Sequence, residues 1–81
     1  MVEVKKLQNF LKNLHKFDKK LDLTQELEAI NQSFEKLVKA IKSEDKEKIS
    51  MTLREHIIEL INYVNTKDVD LDEALEKGFN L

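Results

Sequence analysis

The chain contains no proline, and its single glycine is Gly78. Nothing interrupts regular backbone structure before the C-terminal end. Along most of that length, apolar side chains recur at three- and four-residue steps, the period of an α-helix and not of a strand. The fold class read from this pattern is all-α. With 81 residues the chain is expected to be a single domain. A domain of that size buries only roughly 60% of the surface its unfolded chain exposes, so self-association is the default expectation.

In the stretch 46–65, KEKISMTLREHIIELINYVN, apolar side chains cover far more than one stripe of a helix. Ile49, Leu53, Ile57, Leu60, Ile61 and Val64 fall within one arc, and Met51 and Ile58 widen it beyond what one neighbouring helix covers. The reading is a helix enclosed from several sides. Thr52, Glu55, Glu59 and Asn62 form its polar window.

Three further helices are expected around it. Val4, Leu7, Phe10, Leu11, Leu14, Phe17 and Leu21 define an amphipathic helix over residues 2–21, with Asp18 out of place among the apolar residues. A second helix spans 23–42, started by Asp22 or Thr24; Asp22 with Gln25 three residues on fits a capping box. Its apolar arc, Leu27, Ile30, Phe34, Leu37, Val38 and Ile41, continues through the small residues Ala29, Ser33 and Ala40. Residues 43–45 make a polar turn into the third helix. The last helix, 71–77, has Asp70 and Glu73 placed for a second capping box, Leu71, Ala74 and Leu75 facing inward, and Gly78 as its C-terminal cap. Three long helices and one short one make a bundle.

Charged residues make up 37% of the chain with a net charge of −2, a mixed surface without the basic excess of a nucleic-acid-binding protein. There is no cysteine, which removes disulfides and thiol chemistry. His15 and His56 lie on different helices without partners at zinc-ligand spacing. No apolar run reaches the ~20 residues of a membrane span, and no signal peptide precedes the first helix, so the expected location is the cytoplasm.

From Lys39 onward, the run KAIKSEDKEKI, the long apolar helix and the tail VDLDEALEKGFNL resemble the C-terminal half of small MazG-type nucleotide pyrophosphohydrolases. With the first helix and residues 32–36 included, the resemblance extends over nearly the whole chain. It implies an all-α MazG-like bundle; a homo-oligomer, a dimer or a dimer of dimers, is expected to complete it, because one protomer offers too little cover for Met51, Ile58 and the main arc together. Members of that family hold Mg2+ with a Glu-x-x-Glu pair on the second helix and a Glu-x-x-Asp pair on the third, and cleave nucleoside triphosphates to monophosphate and pyrophosphate. Carboxylates three apart share one helix face, roughly 5–6 Å from each other, and Mg2+ requires hard oxygen ligands. Carried onto this chain, the metal positions fall on Ser33, Lys36, Thr52 and Glu55, and the preceding glutamates on Gln32 and Met51. Only Glu55 keeps a carboxylate. Lys36 places an ammonium where the cation would sit, and a Lys36–Glu55 ion pair is the expected replacement.

Two functions of different classes follow from the resemblance. The first is a non-catalytic MazG-like module with an interaction, structural or nucleotide-binding role and no cofactor. The second is a Mg2+-dependent pyrophosphohydrolase using a displaced carboxylate set, Glu55 and Glu59 with Glu28 or Glu35; His56 beside them is read as a packed or solvent-facing residue ahead of a general base. A third, independent of the resemblance, is a helical module whose apolar third helix docks a partner protein.

Overall fold

A computed structural model describes residues 3–79. Among them are four helices and no strand: α1 (Val4–Leu14), α2 (Leu23–Ser43), α3 (Lys46–Thr66) and α4 (Leu71–Phe79). The chain forms two compact units. Lys20–Leu60 holds α2 and most of α3; Met1–Lys19 with Ile61–Leu81 holds α1, the end of α3 and α4.

The helix boundaries follow from local hydrogen bonding. Asp22 starts α2 with a complete capping box, its carboxylate accepting from the Gln25 N–H at 2.8 Å while the Gln25 side chain accepts from the Asp22 N–H at 3.1 Å. Glu44, in the left-handed region at φ 58°, ends α2. Asp45 then accepts from the Glu47 and Lys48 N–H groups at 3.0 and 3.2 Å, satisfying the first free donors of α3. At the other end of α3, Asp68 takes φ 54°. The Val69 and Asp68 N–H groups reach the Val64 and Asn65 carbonyls, a Schellman ending with aspartate in the place glycine usually takes. Asp70 caps α4 by accepting from the Glu73 N–H at 3.2 Å. Glu73 itself pairs with Lys77 at 3.2 Å.

Two boundaries depart from the periodicity. Helix α1 stops at Leu14, not at residue 21. The Asp18 N–H bonds the His15 carbonyl at 3.1 Å, and the His15 ring meets the Asp18 carboxylate at 2.7 Å, closing a turn. Phe17, 90% exposed, gains nothing there from helical continuation, because most helical stability comes from burying the apolar face. At the other end, Gly78 does not cap α4. The helix runs through it to Phe79 without a positive φ.

In the α2–α3 unit the buried residues are Ser33, Leu37 and Ala40, with Ala29 and Ile30 half-buried beside them. From α3, Ile49, Thr52, His56 and Glu59 are half-buried, whereas Leu53, Ile57 and Leu60 are exposed. The α3 apolar arc is thus only partly covered, with Ile49, Ile58 and Val64 half-buried and Ile61 buried, and of the polar window Thr52, Glu59 and Asn62 are half-buried while Glu55 is exposed. In the other unit Leu11 and Ile61 are buried together with Gln8. Leu71 is half-buried there, but Ala74 and Leu75 stay exposed.

Candidate functional site

Residues Ser33 and His56 lie equally far from the Glu44–Asp45 turn, so an antiparallel α2–α3 hairpin brings them to the same height. The His56 Nδ1 is 2.7 Å from the Ser33 Oγ. That hydroxyl has one proton, which it donates to the Ile30 carbonyl at 2.8 Å. With that proton on the carbonyl, the Ser33 Oγ is left to accept from the His56 Nδ1–H. A serine whose proton rests on a carbonyl, and which accepts from the imidazole, is not arranged as a nucleophile. The pair is a polar tie across the hairpin. The Phe34 ring lies 5.6 Å from the His56 ring, tilted by 42°.

The other positions onto which the resemblance carries the metal ligands are Thr52, Lys36 and Glu55. The Thr52 hydroxyl donates back to the Lys48 carbonyl at 2.7 Å. Lys36 and Glu55 are both exposed, and no ion pair joins them, so the expected bridge does not form. Both side chains lie on the solvated flank, where water screens the attraction. Glu28 and Glu35 are exposed on α2, away from the Ser33 line, and Glu59 is half-buried on α3. Among the described residues, no three His, Cys, Asp or Glu side chains gather closely enough to hold a metal ion.

Mg2+ requires an array of hard oxygen ligands. The matched positions offer two hydroxyls already committed to backbone carbonyls, one ammonium and one outlying carboxylate. This donor set does not fit the ion.

A second polar feature was not anticipated from the sequence. In the α1–α4 unit, the buried Gln8 donates from Nε2 to the Val69 carbonyl at 2.6 Å and accepts the Leu71 N–H on Oε1 at 3.1 Å. The Asn65 side chain donates to the Gln8 carbonyl at 3.2 Å. Lys5–Asp70 and Lys12–Asp68 ion pairs, at 3.8 and 3.7 Å, flank it, beside an open polar depression of about 160 Å³. Its two lysines are neutralised by its two aspartates, which leaves little net field for an anion. The signal for Gln8 was present: on a helix it falls between Val4 and Leu11 on the apolar face, where an amide must find partners.

No helix among the described residues is long and apolar enough to cross a membrane. No protein-family model matches the chain, and no curated protein or solved structure is significantly similar to it.

Proposed function

We propose that the chain is a non-catalytic MazG-like helical module that works by association, its former metal line converted into a neutral contact between two helices. The observation that carries this reading is the Ser33–His56 hydrogen bond. It occupies the first family metal position with a donor–acceptor pair that is complete without an ion. The exposed apolar residues of both hairpin helices support association as the activity, because large apolar patches on a soluble surface mark interaction sites.

The test is pyrophosphate release from the four common nucleoside triphosphates with Mg2+ or Mn2+, alongside thermal melts with and without the ion. The expected result is no turnover and no ion-dependent rise in Tm. Turnover that vanishes on Glu55→Gln, with a Mg2+-dependent rise, would overturn the reading. In the converse experiment, Ser33→Glu, Lys36→Glu and Thr52→Glu together are expected to lower Tm without metal, since clustered carboxylates repel one another, and to recover it with Mg2+.

A further inference from the structure

We propose that the apolar face of the α2–α3 hairpin is closed by a second copy of the same hairpin, both turns at one end, with α2 of each copy against α3 of its partner. This rests on the association reading above and names the partner.

The argument begins with one continuous face. At about 100° per residue, Leu27, Phe34 and Ile41 lie roughly a quarter-turn from the buried Ser33–Ala40 line of α2. Leu53 and Leu60 lie about as far, in the same rotational sense, from the Thr52–His56 line of α3, with Ile57 somewhat beyond them. In an antiparallel pair, equal rotations from the facing lines bring both sets to the same side. All six residues are exposed, Phe34 at 51%. From Leu23 to Ile41 the face is about 27 Å long and about two helix diameters wide, on the order of 500 Å² in projection. That is at the upper end of what monomers leave in one apolar patch and approaches the ~800 Å² per partner of a standard specific interface.

Charge then selects both occupant and orientation. Residues equally far from the turn share a height: Glu35 with Arg54, and Lys42 with Glu47. Within one hairpin these partners point outward on opposite edges, and no salt bridge joins either pair. A two-fold axis parallel to the helices keeps every residue at its own height, so the register is fixed by symmetry. It sets Glu35 beside the partner's Arg54, and Lys42 beside the partner's Glu47, flanking the apolar seam twice over. The opposite orientation at full overlap, α2 against the partner's α2, brings the two Glu35 carboxylates near each other. Unlike charges at matched heights are what a second copy of this chain supplies.

The experiment is sedimentation equilibrium of the full chain from about 1 to 100 μM. The expected mass is twice the 9.5 kDa of one chain, and the variant combining Phe34→Glu and Leu53→Glu is expected to sediment as a monomer with its helical circular dichroism kept. Because that variant alters two apolar residues, a milder pair accompanies it. Glu35→Arg is expected to raise the dimer Kd on the order of tenfold, and adding Arg54→Glu to restore it. Orientation is read from a spin label on Glu44→Cys in the otherwise cysteine-free chain. Turns at one end give a label separation of about 20 Å, whereas turns at opposite ends give about 30 Å or more. A monomer throughout the range, a dimer indifferent to the Glu35 and Arg54 exchange, or the longer separation each overturns the proposal. None of these outcomes bears on pyrophosphate release, so a failure here is distinguishable from a failure of the non-catalytic reading.

Discussion

The two units of the chain close in opposite ways. The α1–α4 unit buries Leu11 and Ile61 and spends a buried glutamine on three backbone and amide contacts. The hairpin buries Ser33, Leu37 and Ala40 and leaves Phe34, Ile41, Leu53, Ile57 and Leu60 outside. One unit is held by a specific polar lock between segments distant in sequence. The other is held by a short turn, two caps and a single side-chain tie, with much of its apolar surface unused. Apolar content therefore does not map the core of this chain: Phe34, Leu53 and Leu60 recur at core spacing and are exposed, whereas Gln8 and Ser33 are buried.

Breaking the lock is expected to have the largest effect. Gln8→Ala leaves the Val69 carbonyl and the Leu71 N–H without their partners and costs about 2–3 kcal/mol. Hydrogen exchange would locate the damage, α4 amides losing protection while the α2 amides keep theirs. Uniform loss across all four helices would show that the units do not close independently.

The hairpin tie is expected to be weaker. A Ser33→Ala and His56→Ala double-mutant cycle should give a coupling of about 1 kcal/mol, the net worth of one hydrogen bond. A coupling near zero would mean that the turn and caps hold the hairpin alone. Asp22→Ala should cost about 1 kcal/mol through the lost capping box, read as a fall in Tm. Smallest of all, Glu44→Gly is expected to stabilise by up to about 1 kcal/mol, because a Cβ is disfavoured at φ 58°. A drop in Tm would show that the Glu44 side chain contributes something the backbone argument omits.

Much of the helical layout was readable before the structure. Asp22, Asp45 and Asp70 mark the starts of α2, α3 and α4 because capping chemistry is local, and the periods of α2 and α3 extend over their observed lengths. The overshoot of α1 has the opposite cause. Phe17 and Leu21 continue the α1 period, but whether a period is honoured depends on a covering surface that the pattern does not contain. The same gap explains the α3 faces. An apolar arc says that something must cover it, not that α2 does, and the short Ser33 gave no hint that a histidine would be drawn toward it. The Lys36–Glu55 pair failed because sharing a helix flank does not bring two solvated side chains together.

The span of the Gln8 lock has a consequence for the order of folding. Its contacts join residues 57 to 63 positions apart, whereas Ser33 and His56 are 23 apart. By loop-closure entropy the longer connection costs roughly 0.8–0.9 kcal/mol more to bring together. Helix α1, 11 residues long, is too short to persist alone in water. The chain should therefore assemble from its middle outward, the hairpin condensing while α1 still samples open conformations and the lock snapping shut last. Substitutions at Gln8 would then speed unfolding and leave the refolding rate nearly unchanged, whereas those at Leu37 would slow refolding.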